Sequence, residues 1–398
     1  MTPSKSGRRN KTGKGRDACA AQMKTRPEGV NLVSSILMKV LALASYPIEA
    51  ASTRYRVAQF VEPLAERGIS LTVHPFLDSE LLASLYKRAE WPRTAIGLTG
   101  AVLRRLTEVW HARDADVLFV QREAMMIGPP LIEWLAMRLG GCPMVLDLDD
   151  ATYVSYVSPT YGRLGSALKW FGKTDDLIRW AKVVTCGNRA IAEYVSAQGK
   201  KAVIIPTVVD MDRFRPRSLP LTDDVPVIGW IGTHSTYQYL TSIFPALQRL
   251  AQAYKFRLKI VGAGLENINL QGVEVENLAW SLDREIVDFQ SFDVGLYPIV
   301  EDEWSVGKSG FKSVQYMASG TPFVTTPVGA CAEIGEANVT HFAARTEDEW
   351  YAALAQLLSD KGLRERMGAA GRQHATQHYT VAAQADKLSE VFRSAATR

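Results

Sequence analysis

Short apolar runs recur along the chain, each ending in polar residues and followed by a stretch with helical spacing. The runs are Lys39–Ser45, Ile69–His74, Val117–Gln121, Met144–Asp147, Lys182–Cys186 and Val203–Pro206. Between the first two, Val57, Phe60, Val61, Leu64 and Ala65 fall at i, i+3, i+4, i+7 and i+8, which predicts one amphipathic helix over Tyr55–Arg67. Strands alternating with amphipathic helices imply parallel pairing with helical crossovers. The pattern restarts at Val225–Ile231, with a helix near Tyr239–Tyr254 and strands at Arg257–Val261, Val273–Val275, Val294–Tyr297 and Pro322–Thr325. Pro206, Pro216, Pro220 and Pro226, with Asp223-Asp224, mark the junction. The expected fold is therefore α/β: two Rossmann-like, doubly wound domains facing a central cleft. They span 38–206 and 225–380, joined by a linker at 207–224, and 381–398 forms a last helix packing back towards the N-terminal domain. In such sheets ligands bind outside the carboxyl ends of the strands, so residues just past each strand are the candidates for chemistry.

A chain of 398 residues exceeds one ordinary core, and 47% hydrophobic with 22% charged residues is the composition of a soluble globular protein. The net charge of +4 is unevenly spread. Residues 1–30 carry eight Lys or Arg against Asp17 and Glu28, an excess of six that leaves the remaining chain near −2. A nucleic-acid-binding body is thereby excluded. The basic tail, 1–37, lacks hydrophobic periodicity and is expected to be disordered, an arm open to contact with nucleic acid or with a membrane surface. Two other readings stay open. Met38 directly precedes the first strand and could start the natural chain, and Val30–Ala44 has the apolar character of a signal-peptide core, although Lys39 interrupts it. Cys19, Cys142, Cys186 and Cys331 form no C-x-x-C pair, which fits a reducing cytosol. No apolar run reaches the ~18 residues of a membrane span.

The stretch Ser305–Gly329, SVGKSGFKSVQYMASGTPFVTTPVG, contains Gly307-Lys308-Ser309, the ending of a nucleoside-triphosphate phosphate loop. That loop needs a glycine where Asp302 stands, and a carboxylate there repels phosphate, so an ATPase is excluded. On a helix through this stretch, Lys308, Lys312 and Gln315 share one stripe, while Phe311, Val314 and Ala318 lie on an adjacent face that can enter the core. Two ammonium groups and an amide near a helix N-terminus suit a diphosphate and a ribose. Elsewhere, Met144–Asp150 ends a strand in carboxylates. Asp149 and Asp150 either orient an acceptor hydroxyl, cap the next segment, or belong to a D-x-D metal site. Arg54, Arg56 and Arg122 sit near strand ends, where they could meet an anionic acceptor or a donor phosphate. His374 and His378 have zinc-pair spacing but lack the accompanying Glu and a third ligand, and Asn188 is placed to cap a helix.

With these residues in view, the chain resembles the family-4 glycosyltransferases, two-domain GT-B enzymes that take sugars from nucleotide donors. Gln315 to Val324 is similar to the family signature E-[AY]-M-A-x-G-x-P-V-V, Ile205 to Pro216 to the interdomain stretch I-P-N-G-V-D-x-x-x-F-x-P, and Ser52 to Arg56 to the first loop and helix. The likeness spans 39–395. It implies a hexosyltransferase-like enzyme of glycan biosynthesis. The donor would be a UDP- or GDP-sugar and the acceptor a glycan, a lipid-linked molecule or a small molecule, with retention and with no metal or other cofactor. A cytoplasmic location, open to peripheral membrane contact, goes with that reading.

Two departures follow. The family's E-x7-E carries glutamates where this chain has Gly307 and Gln315, so a side-chain amide replaces the acid that holds ribose, and Glu303 in the acidic run Glu301–Glu303 is a candidate replacement. The loop after Val225–Ile231 lacks the family's Arg and Lys, leaving Gly232, Thr233 and His234 for phosphate oxygens. Lys308 and Lys312 are thus expected to stabilise the leaving group, with Asp149 and Asp150 completing the catalytic set. Gly232, Thr233, His234, Gln315 and Glu303 join the two lysines in holding the donor, and Arg54, Arg56 and Arg122 lie on the acceptor side. The alternatives are a non-catalytic nucleotide-sugar or glycan-binding subunit, and a nucleotide-sugar epimerase or hydrolase of the same fold.

Overall fold

Strands buried on both faces need helices on both sides, and both halves of the chain supply them. The structure is a computed structural model describing residues 38–85, 87–156, 162–218 and 225–397. The expectations for the tail and for the last part of the linker therefore lie outside the described residues. The first sheet contains β1 (Met38–Ala44), β2 (Ile69–Pro75), β3 (Val117–Gln121), β4 (Met144–Leu148), β5 (Val183–Cys186) and β6 (Ala202–Ile204). Its order is β2-β1-β3-β4-β5-β6, and all its pairs are parallel. The second contains β7 (Val227–Ile231), β8 (Arg257–Val261), β9 (Glu274–Leu278), β10 (Val294–Tyr297), β11 (Phe323–Thr325) and β12 (Phe342–Ala343), in the order β12-β11-β10-β7-β8-β9. The strand order in each reverses beside the first strand of its domain, the arrangement that opens a crevice at the carboxyl ends.

Helices of the first half are α1 (Ala51–Arg56), α2 (Val61–Ala65), α3 (Ser79–Leu85), α4 (Trp91–Glu108), α5 (Leu131–Gly140), α6 (Gly162–Lys169), α7 (Lys173–Trp180) and α8 (Arg189–Ala197). The second half has α9 (Tyr237–Thr241), α10 (Phe244–Ala251), α11 (Glu285–Gln290), α12 (Glu303–Val306), α13 (Phe311–Ala318), α14 (Glu347–Ser359), α15 (Lys361–His378) and α16 (Val381–Ala396). Alternation along β1 sorts the N-terminal core. Leu41 and Leu43 pack with Ile132 of α5, Leu177 of α7 and the 3-10 turn Val109–Asp114, whereas Val40 and Ala42 face Phe60, Leu64 and α16. Helix α16 thus returns to the first sheet, where Phe392 meets Phe119 edge to face at 5.1 Å.

Two predicted helices are interrupted, for one reason. The segment expected as a single helix over Tyr55–Arg67 is split into α1, a 3-10 turn at Ala58–Phe60, and α2. Pro63 cannot donate to residue 59 and its ring would collide with that carbonyl, so the helix restarts at Val61 and places Pro63 in the first turn. Pro245 does the same between α9 and α10.

The break aims α1 at the interior. Arg56 is 2% exposed, and its Nε donates to Asp147 Oδ2 at 3.0 Å while Nη2 donates to Oδ1. Its Nη1 donates to Ile205 O at 2.5 Å and Thr185 Oγ1 donates to Asp147 Oδ1 at 2.6 Å, so the pair ties α1 to β4, β5 and the exit of β6. Removing one partner leaves the other charged and buried. Arg56→Ala is expected to cost about 3–5 kcal/mol, measured by urea unfolding.

Candidate active site

Chemistry is concentrated where the carboxyl ends of the two sheets meet. After β10 the chain turns into α12, whose first turn is capped by Asp302 accepting from Ser305 N at 2.6 Å. Gly310, at φ 64, redirects the backbone into α13. Helix α13 starts at Phe311, so Lys308 lies in the preceding loop and does not share a helical stripe with Lys312 and Gln315, as the sequence had suggested. Lys308 Nζ lies 5.7 Å from the centre of the Tyr239 ring and 6.0 Å from that of Trp304.

Lys312 and Gln315 remain adjacent, Nζ donating to Oε1 at 3.0 Å. Gln315 is fully buried and its Nε2 has no hydrogen-bond partner among the described residues. Burial pushes Lys312 down to about 8, with Glu285 opposing that shift and Arg54 adding to it. An ammonium without a carboxylate partner and an amide N–H without an acceptor are costly arrangements unless something else occupies the space beside them.

The N-terminal wall is built on Arg122, held at φ 62 just past β3. Its Nε and Nη2 donate to Asp149 at 2.5 and 2.8 Å, and Nη2 also reaches Asp150 Oδ2 at 2.6 Å. Burial alone would raise Asp149, but Arg122 outweighs it and the carboxyl lies below its usual value. Asp150 is raised by burial and by Asp149, with Arg122 and Lys308 working the other way. Lys308 of one domain and Asp150 of the other therefore feel each other across the cleft. Asp147 and Asp149 are each held by an arginine, so neither can take a cation without first releasing it.

Side chains from both domains close the cleft. Arg54 Nη2 lies 3.1 Å from Glu285 Oε2, to which Tyr55 Oη also donates at 2.7 Å, and the Tyr55 ring packs on Phe311 at 4.6 Å. Asn188 has two roles: Oδ1 caps α8 by accepting from Ile191 N, and Nδ2 donates to Lys308 O at 2.9 Å. Gly307 approaches so closely that an added Cβ would lie 2.3 Å from Ala151 Cβ.

Among the expected site residues, the structure brings Lys308, Lys312, Gln315, Arg54, Arg122, Asp149 and Asp150 to this junction. Arg56 is absorbed by Asp147 and backs the site from the interior. Gly232, Thr233 and His234 form the turn after β7, where the Thr233 hydroxyl bonds to Ser235 at 2.9 Å and Thr233 and His234 are exposed. Of the three acids ahead of α12, Asp302 caps the helix and Glu301 bonds Arg345. Glu303 is exposed, and no hydrogen bond or ion pair engages its carboxylate among the described residues. Sequence reasoning missed Glu285 and Tyr55, and it saw only half of Asn188.

Two parallel, Rossmann-like sheets meeting at their carboxyl ends define the GT-B class. The Anabaena protein HepE in complex with UDP-glucose superposes with a TM-score of 0.65 at 16% identity, covering 90% of this chain and 100% of that one. Sucrose-phosphate synthase from Thermosynechococcus elongatus gives 0.64 at 14% identity over 90% and 98%. A glycosyltransferase from Rickettsia africae gives 0.63 at 13% over 91% and 99%. These likenesses establish the fold. No curated protein matches the sequence. Residues 225–360, in the C-terminal half, match the family model of glycosyl transferases group 1.

The close approach at residue 307 is testable. Gly307→Glu, the residue of the motif this chain departs from, should force the two walls apart. Small-angle scattering should report a larger radius of gyration, and Ala151→Gly added to it should recover part of the change.

Proposed function

We propose that the protein is a family-4-type, retaining and metal-independent glycosyltransferase that moves a sugar from a UDP- or GDP-sugar to a glycan, lipid-linked or small-molecule acceptor. The observation that carries this reading is the Lys312–Gln315 pair near the start of a helix: an ammonium bonded to the Gln315 oxygen with no carboxylate partner among the described residues, and an amide whose Nε2 is unsatisfied, with Lys308 nearby and carboxylates opposite. A nucleoside diphosphate satisfies all of them together. Its oxygens take the ammonium groups and the free N–H groups of α13, and a ribose hydroxyl accepts from Gln315 Nε2. HepE, whose fold the chain shares, has been seen with UDP-glucose and with UDP and glucose, which supports a nucleotide-sugar donor.

In the reaction the bond from the anomeric carbon to the diphosphate breaks, the acceptor oxygen takes its place, and the acceptor proton passes to the diphosphate. Lys308 and Lys312 stabilise the charge that grows on the leaving group, each such donor contributing roughly 3–4 kcal/mol. Asp150 orients the acceptor hydroxyl, and Asp149 holds Arg122 in place for it. Glu285 fixes Arg54 beside Lys312, so the donor meets a preset field.

Nucleotide-sugars at 100-fold their dissociation constant should stabilise the protein by about 2.7 kcal/mol. A thermal-shift screen in which no UDP- or GDP-sugar has an effect would sink the reading. Lys312→Ala should lower transfer of labelled sugar by about 100-fold or more with the fold intact by circular dichroism. Because Lys312 is protonated only below about 8 in the free protein, UDP affinity should fall as pH rises through that value. Lys312→Arg keeps its charge and should flatten the profile.

A further inference from the structure

Tryptophan is rarely left in water, yet its distribution here divides by domain. In the C-terminal half Trp230 and Trp350 are 3% and 2% exposed and Trp280 and Trp304 are half-buried, whereas in the N-terminal half Trp91, Trp110, Trp134 and Trp170 are 59%, 53%, 41% and 53% exposed. Together with Trp180 these are all the tryptophans of residues 38–224. They lie on or beside α4, the 3-10 turn Val109–Asp114, α5, α6 and α7. The turn and α5 build the layer over the Leu41 face of the first sheet, and Gly128 N, just ahead of α5, bonds to Leu168 O of α6 at 2.8 Å.

Helix α4 is inside out. It buries Thr94, Ala101, Arg105 and Glu108 and exposes Ile96, Leu103 and Leu106, which share one side of the helix. Helix α6 buries none of its residues and exposes Leu164 and Leu168 one turn apart. The polar residues among them carry one sign of charge. On α4, the turn, α5 and α6 the exposed ionised side chains are Arg93, Arg104, Arg113, Arg138 and Arg163 against Asp114; Arg93 and Arg104 lie 3.5 and 3.7 Å from Glu80 and Glu108, which leaves Arg113, Arg138 and Arg163 to set the sign of the surface. Two of these arginines lie over exposed tryptophans, Arg113 at 3.9 Å from the Trp110 ring and Arg138 at 5.7 Å from Trp134.

We propose that this face of the N-terminal domain seats on the surface of an anionic phospholipid bilayer, with the indole and leucine side chains entering the headgroup boundary and the arginines meeting lipid phosphates. Amphipathic aromatic rings and arginines with apolar stems are the side chains that such an interface holds. The charge favours lipid over a second copy of the chain, because a self-contact would set the same arginines against one another. No helix among the described residues is long and apolar enough to cross a membrane, so the contact lies along the surface. The inference does not depend on the transfer reaction, and its test needs no donor.

The full chain is mixed with vesicles of phosphatidylcholine, with and without phosphatidylglycerol, and sedimented. It should bind the anionic vesicles, bind phosphatidylcholine far less, and release as salt is raised. The double variant Arg113→Glu/Arg138→Glu should lose roughly tenfold or more in partitioning, and Leu103→Ser/Trp134→Ser should weaken binding while leaving the circular dichroism spectrum unchanged. Failure of the unaltered chain to sediment with anionic vesicles overturns the proposal. So does vesicle binding that neither double variant changes, and so does a dimer, seen by light scattering, that Trp134→Ser dissolves.

Discussion

Arg54 and Arg56 stand two residues apart on one short helix, both are out of water, and each is neutralised by a carboxylate from a different domain. Arg56 looks into the first sheet at Asp147, and Arg54 looks across the cleft at Glu285. Charges so placed tolerate few arrangements, because any shift that breaks a pair leaves an ion stranded in a medium that solvates it poorly. Helix α1 therefore has little freedom to roll or slide. Its position sets where Tyr55 meets Phe311, and through Phe311 where α13 begins. The site depends on this pairing more than on any of the residues that would touch a substrate.

What the sequence made legible and what it concealed follow from the range of the forces involved. Strands such as β3 and β8 appear within the bounds expected, since burial on both faces leaves a continuous apolar run that needs no partner to be recognised. The proline breaks at Pro63 and Pro245 are local too, but apolar spacing runs on through both prolines and does not register the missing N–H. Lys308 falls outside the helical stripe because the periodic pattern does not reveal the positive φ of Gly310, which ends the regularity. Glu285 could not have been paired with Arg54 by any local rule, being 231 residues away in the chain. Helix α4 was hidden for the opposite reason: with Arg105 and Glu108 inside and Leu103 outside, its pattern points the wrong way for a helix packed in water.

The junction also illustrates how a motif can persist while its parts change. At Gly307 there is no room for a glutamate in the closed arrangement, because Ala151 occupies the space a side chain would need. At Gln315, where the motif it resembles has an acid, an amide turns one end to Lys312 and leaves the other unsatisfied among the described residues. Steric closeness at the first position and neutral hydrogen bonding at the second are coupled features of one closed cleft. The positive charge of this cleft comes from Lys308 and Lys312, with Asp150 and Glu285 near enough to act on them through space.

The return of α16 to the first sheet sets an order of events during synthesis. Phe392 and Leu388 complete the apolar layer that begins with Val40 and Ala42, so the domain that leaves the ribosome first lacks part of its core until α16 has emerged. The second domain, by contrast, has its strands in hand before α16 is made. Although domains generally fold in the order they emerge, this one would mature from its second half backwards. In the interval the uncovered face of β1, β3 and β4 would need shelter, which makes the nascent N-terminal half the stage at which this protein is most exposed to aggregation.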